Sequence, residues 1–217
     1  MPRSEVVASQ EPRIAEVAKH SRAGWRLVLI GILLALAAVA LVLLAHAGSF
    51  LTIHAPERSD VIVVLDGEWP QAVKLQKEGY APRILLDVGI NTQVYGRLES
   101  DLAIEFLRKE KLTDTQICPV VGGSTYEEVA DVRRCLDAVH ATSAIIVATN
   151  FDNRRVISIF RKRLPQYRWS IAASSAPYHF ADQYWKYRSW AKTVLNAWES
   201  YLWWKLVEER RADVVLR

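Results

Sequence analysis

Cysteine is scarce in this 217-residue chain: Cys118 and Cys135 are the only two. They lack the close spacing and companion histidines that a structural zinc site needs. Histidine is sparse as well. His20, His46, His54, His140 and His179 are scattered, and only His179 follows the last expected strand closely enough to reach a cleft there. With no nucleophile elbow and no Ser-His-Asp order, a histidine-driven hydrolase is not supported. No Walker lysine follows a glycine-rich loop, and no Gly-x-Gly-x-x-Gly follows the first strand, which excludes both nucleotide fingerprints on pattern. There is no repeat of fixed period and no low-complexity tract. A dense basic stripe with interleaved aromatics is also missing: of the net charge of +4, residues 1–26 carry +2 (five basic, three acidic), leaving +2 for the remainder. Nucleic acid is therefore not an expected partner.

What the chain has in excess is one apolar block, "LVLIGILLALAAVALVLLA", Leu27 to Ala45, free of charged residues. At 1.5 Å per residue it spans a hydrocarbon core of ~30 Å, and it shows no polar face. The expected division is a tail at 1–26, a transmembrane anchor at 27–47 contacting the lipid bilayer, a linker at 48–59 and an α/β domain at 60–210. "AHA" at 45–47 resembles a signal-peptidase site, but the apolar run exceeds the usual ~7–15 residues, and an uncleaved anchor is expected. Arg3, Arg13, Lys19, Arg22 and Arg26 precede the span and only Arg58 follows closely. The positive-inside rule then keeps the N-terminus cytoplasmic and exports the domain. On that outer side the two cysteines either remain half-buried thiols, the favoured expectation, or pair.

From residue 61 strands and helices alternate. "VIVVL" (61–65), "RILLDV" (83–88), "ICPVV" (117–121), "AIIVA" (144–148) and "WSIAAS" (169–174) are short apolar runs, as expected of strands buried on both faces. Between them lie helical segments at 70–80, 98–111, 124–140 and 154–164, and a long aromatic helix at about 183–210 follows. This rhythm predicts a Rossmann-like three-layer α/β domain with a mostly parallel sheet of about five strands. Ligands of such sheets bind outside the carboxyl ends of the strands, near a topological switch point.

The strand ends carry polar chemistry, each with an ordinary alternative. Asp66 and Asp87 would place two carboxylates near one pocket for acid–base or metal work, or they are turn formers. In "GGSTYEE" (122–128), Ser124 with Glu127 or Thr125 with Glu128 can form a capping box, and the helix end behind Gly122 and Gly123 could instead receive an anion. "VATNFDNRRV" (147–156) brings Asn150, Asp152, Arg154 and Arg155 to the end of the fourth strand. Two arginines at a helix start oppose its dipole unless an anion or an acid such as Asp152 or Glu127 answers them. The stretch is either a ligand site or a structural Asp–Arg pair. In the aromatic tail, Trp190, Val194, Trp198 and Tyr201 recur at helical spacing, as core packing does. Trp203 and Trp204 either join that core or rest at a membrane interface or against a partner.

Taken in order, "DVIVVLDG", "KLQKEGYAPRILLDVG", "STYEEV", "VATNFDNRRVISIFRK" and "NAWESYLWWKL" make residues 60–206 resemble the YdcF/SanA/ElyC-like family of bacterial envelope proteins. The resemblance implies a Rossmann-like domain with a polar cleft, anchored in the bacterial inner membrane and linked to cell-envelope and surface-polysaccharide maintenance. It carries Gly67, Glu99, Thr125, Glu127, Arg155 and Glu199 onto family site positions, beside Gly122, Gly123, Ser124 and Asn150 as ligand-binding candidates. The cofactor is unknown from the sequence. Departures concentrate in the cleft. Asp66 stands where a glycine is usual and Trp69-Pro70-Gln71 lacks the expected arginine. Asp87-Val88-Gly89 replaces Ser-Gly-Gly, Gly122 a serine, and Asp152 a histidine. A carboxylate cannot shuttle protons near pH 7 as histidine does unless its pKa is strongly raised, and it repels phosphate. A binding or scaffold protein with lost catalysis is thus expected, catalytic residues being unknown, with Asp66, Asp87 and Asp152 as candidates. The alternative is an enzyme acting on a phosphorylated or lipid-linked glycan precursor, and the ligand an anionic small molecule or lipid-linked glycan. An envelope protein partner is the scaffold's counterpart.

Overall fold

A computed structural model describes residues 11–65, 67–112, 114–173 and 183–211. Two units are distinguished, residues 1–46 and 47–217. Residues 11–46 of the first belong to helix α1 (Glu11–Leu51), whose stretch Val28–Leu51, with a mean hydropathy of 3.2 over its most apolar 18 residues, is long and apolar enough to cross a membrane. From Val28 to Leu44 its residues are exposed, Leu33 and Leu41 among them.

The second unit is built on a five-stranded parallel sheet in the order β5-β2-β1-β6-β7. These strands are β1 (Val61–Val64), β2 (Arg83–Gly89), β5 (Thr115–Val120), β6 (Ser143–Ala148) and β7 (Arg168–Ala173). β1 and β6 are buried at every position, which is why neither shows hydrophobic alternation. Their side chains nonetheless divide between the two faces with the two-residue period of a strand. Val61, Val63, Ile146 and Ile171 pack with α4 (Thr125–Ala138) and α5 (Asn153–Arg163). Ile62, Val64, Ile145 and Val147 pack with α2 (Trp69–Lys77) and the half-buried side of α3 (Glu99–Lys109). The expected three layers are present.

A short antiparallel hairpin, β3 (Gln93–Val94) and β4 (Arg97–Leu98), interrupts the connection from β2 to α3; the sequence pattern is too brief there to announce it. Helix α2 ends as its glycine indicates: Gly79 has φ 78°, and the Tyr80 amide donates back to the Leu75 carbonyl at 3.0 Å. At the end of α4 His140 takes the same left-handed conformation without being glycine, and Ala141 donates to Leu136.

Residues 52–59, expected as a tether, run along the sheet edge instead. The Ala55 amide donates to the Ile171 carbonyl at 2.9 Å, Asn153 exchanges two 2.8 Å bonds with the backbone of Ile53, and Ser170 Oγ accepts from Glu57 N. The reason is that β7 would otherwise leave an unpaired edge. Asp60 then ties β1 to β6, accepting from Thr142 N, Thr142 Oγ1 and Ser143 N. Led by the Thr142 amide, these bonds hold its carboxyl below the ordinary range.

Cys118 of β5 and Cys135 of α4 form a disulfide. The expectation of free thiols is corrected. Nothing in a local pattern shows that β5 and α4 lie side by side; the tertiary packing brings the two Cα atoms to 5.8 Å.

The aromatic tail is a 3-10 turn (Tyr184–Lys186), α6 (Arg188–Trp203) and a π-helical turn (Trp204–Glu208). Val194 and Ala197 are buried, with Trp190, Trp198 and Tyr201 packed around them as anticipated. They close over the last turn of α1, where Leu51 is fully buried, Trp198 stacks on Phe50 and the Trp198 indole donates to the Ala47 carbonyl at 3.1 Å. The tandem Trp203 and Trp204 are separated: Trp203 is exposed, whereas Trp204 is wholly buried with Nε1 bonded to Ser158 Oγ at 3.0 Å. Successive helical residues point about 100° apart and cannot share a face.

Candidate functional site

The strand order places the topological switch point between β1 and β6, because the chain moves outward from β1 through β2 to β5 and then returns to β1's other side. The stretch after β6 is therefore where the fold would seat a ligand. Of the candidates at this crevice, Asp66 lies outside the described residues, as does His179.

Each polar group in 149–155 has a distinct task. Arg154 reaches back to the end of α1, donating from Nε to the Phe50 carbonyl with its guanidinium 4.1 Å above the Phe50 ring. It thus answers the negative end of a helix dipole rather than the positive end of its own. Arg155 donates from Nε to Asp152 Oδ1 at 3.1 Å, and both are half-buried. Asn153, wholly buried, holds Ile53. Asn150 differs: its side-chain oxygen is buried and has no hydrogen-bond partner among the described residues. Such a group costs about 1–3 kcal/mol when left unsatisfied and is uncommon in a settled core.

Two adjoining hollows open here. One, ≈ 270 Å³, is lined by Thr149, Asp152, Thr193, Asn196 and Ser200. The other is a groove of ≈ 860 Å³ between Arg155 and α6, with Glu199, Leu202, Trp203 and Leu206 on its walls, and it shares Asn196 and Ser200 with the first. Asp152, Arg155 and Glu199 are thereby brought to one region, polar at the strand end and apolar along α6.

Asp87 and Glu99 meet elsewhere. They line a separate hollow of ≈ 240 Å³ with Gly67, under the tilted rings of Trp69 and Phe106. Asp87 belongs to β2 and Asp152 follows β6, with β1 between them, so two strand spacings, roughly 10 Å, divide the two aspartates. Among the described residues no three of histidine, cysteine, aspartate and glutamate cluster to hold a metal ion.

The 121–128 loop turns inward on itself. Ser124 is the N-cap of α4 but its side chain makes no capping bond; Glu127 alone reaches back, accepting from Gly123 N at 2.9 Å. The reciprocal box does not form. Asp131, which motif reading passed over, is the organiser: Oδ2 accepts from Val121 N at 2.8 Å and Gly122 N at 3.4 Å, and Oδ1 pairs with Arg134 at 2.5 Å. The available signal was its position one turn before Cys135 on the same flank of α4. Gly122 is required sterically, since an added Cβ would stand 2.6 Å from Glu127 Cβ and 2.9 Å from Glu128 N. The three amides that would cradle an anion are thus taken by the chain's own carboxylates.

Burial pushes the Asp131 carboxyl up, but the Val121 and Gly122 amides and Arg134 outweigh it and leave the group below the ordinary range. A carboxyl whose folded pKa is depressed adds stability above its unfolded pKa of ~3.9 and loses it as pH falls through the folded value. Stability is accordingly expected to decline on acidification below about pH 4, with Asp60 contributing in the same sense. Asp131→Asn should flatten part of that decline in urea melts taken from pH 3 to pH 7; equal slopes for both proteins would refute the role.

No protein-family model matches the chain, and neither a curated protein nor a solved structure matches it.

Proposed function

We propose that this chain is a membrane-anchored, extracytoplasmic binding protein of the bacterial cell envelope, a non-catalytic relative of the YdcF-like proteins whose motifs it resembles. On this reading α1 holds it in the inner membrane, the N-terminus lies in the cytoplasm, and the cleft after β6 takes a polar, hydroxyl-rich ligand such as the glycan part of an envelope precursor. The observation that carries it is the buried side-chain oxygen of Asn150 beside the switch point, without a hydrogen-bond partner among the described residues; a ligand hydroxyl that reached it from the neighbouring hollow would satisfy it. Three further features agree. Arg155 is already paired with Asp152, and the 121–123 amides with Asp131 and Glu127, so the site has little charge to offer a phosphate. No described histidine lines the two hollows at this strand end. The disulfide suits an oxidising compartment, as the flanking charges do.

The test is thermal melting of the detergent-solubilised chain with envelope glycans, nucleotide sugars, polyprenyl phosphates and divalent metals. At a hundred times its dissociation constant a ligand adds ~2.7 kcal/mol, a shift of several degrees. Asn150→Ala should abolish a glycan-induced shift while leaving the unliganded melt close to wild type. A cooperative melt that no glycan moves would sink the proposal.

A second reading rests on Asp87 and Glu99 sharing one hollow, an arrangement that acid–base chemistry uses. It predicts turnover of a phosphorylated or lipid-linked glycan, lost in Asp87→Asn and retained in Asn150→Ala.

A further inference from the structure

We propose that the outward face of α6 and the π-turn, carrying Leu195, Leu202, Trp203 and Leu206, lies in the headgroup–acyl boundary of the bilayer. This inference rests on the anchor part of the proposed function and not on the cleft's ligand. The placement comes from covalent continuity. One side of α6, with Val194, Ala197 and Trp198, is packed on Ala47–Leu51, the residues in which the apolar helix ends. The chain therefore leaves the membrane directly against α6.

Turning about 80° round the helix from that docked side reaches Leu195 and Leu202. With Leu206 and Trp203 they are 45–66 % exposed, and no described residue covers their outward sides. Phe50, at the end of α1, is itself 41 % exposed beside Trp198. Leucines recurring along one exposed stripe are costly in water and favourable at a lipid surface, where apolar side chains sink ~5–10 Å into the boundary. Trp203 has the mixed character that the interface selects: its ring is exposed, and its N–H is bonded to Glu208 at 3.1 Å. Arg188 and Lys192, exposed at the start of the same helix, supply positive charge for anionic headgroups.

The experiment uses the full chain in vesicles of phosphatidylethanolamine and phosphatidylglycerol. Both native cysteines are in the disulfide, so an added thiol is the sole labelling site. Nitroxides are placed by Leu202→Cys, Leu206→Cys and, as the aqueous reference, Tyr95→Cys at the fully exposed hairpin tip. Power-saturation resonance then compares dissolved oxygen with a water-soluble nickel chelate. Labels at 202 and 206 are expected to favour oxygen, and the label at 95 the chelate. Chelate access at 202 and 206 equal to that at 95 overturns the proposal. Labels shielded from both reagents and broadened by a neighbouring spin also overturn it, in favour of a second copy covering the face. A chain washed off the vesicles by carbonate overturns the anchor premise. None of these results bears on whether Asn150 holds a ligand, so the two proposals fail separately.

Discussion

Replacing Trp204 by alanine is expected to lower the unfolding free energy by about 3–5 kcal/mol, the usual loss for a large aromatic removed from a core. The same change at Trp203 should cost only about 0.5 kcal/mol. The contrast follows from burial: Trp204 is 0 % exposed and packs with Val129, Val132, Ile157 and Phe160 between α4, α5 and the sheet, whereas Trp203 is 55 % exposed. The Trp204 ring lies 6.2 Å from that of Tyr126, itself covered by Arg163. Trp204 is also where α6 gives way to the π-turn, so its removal unseats the helix end that carries Leu206 and one wall of the large groove. Trp204→Phe separates the contributions: it keeps most of the packing and forfeits the bond to Ser158, about 1 kcal/mol. Urea melts of the detergent-solubilised variants decide the matter. Equal losses at 203 and 204 would mean that the two indoles share one environment.

Reduction of the Cys118–Cys135 disulfide is expected to destabilise the domain by about 3 kcal/mol, the entropic value for a closed loop of this size. That amounts to roughly 6–12 °C in melting temperature. The bridge spans 17 residues and joins edge strand β5 to α4, the helix that carries Asp131. Once it is open, the 121–123 turn is still held to α4 by Asp131 and Glu127. Loosening is therefore expected to begin at this corner, as faster amide exchange at Val121, Gly122 and Gly123 than in β1. Melts with and without a phosphine reductant, repeated on the Cys118→Ala/Cys135→Ala double variant, check the prediction. Coincident curves would show that the bridge adds nothing.

The same two regions show where sequence reading stops. The residue-to-residue order of polar groups in "VATNFDNRRV" was legible, and so was the need for something to answer Arg154 and Arg155. What answers them was not. Asp152, three residues away, takes Arg155, but Arg154 is met by a carbonyl 104 positions earlier in the chain. The loop at 122–125 looked ready for an anion because glycines followed by a helix start are the local form of such a site. Asp131, ten residues downstream of Val121, had already taken its amides. Of the proposed site residues, Gly67, Asp87 and Glu99 were brought to one hollow and Asp152, Arg155 and Glu199 to another region, a division that depends on which strands are neighbours.

By itself the sequence determined the apolar helix, the five strands with their intervening helices, and hence the parallel α/β sheet. These follow from composition and from periods of 2 and 3.6 residues, which are properties of short stretches. The tertiary structure alone decided the strand order, the pairing of Cys118 with Cys135, the docking of residues 52–59 on β7, the opposite fates of Trp203 and Trp204, and the burial of the Asn150 side-chain oxygen away from any partner among the described residues. Each of these is a meeting, or a failed meeting, between groups far apart in the chain, and only the packing of the layers fixes which groups come within bonding distance.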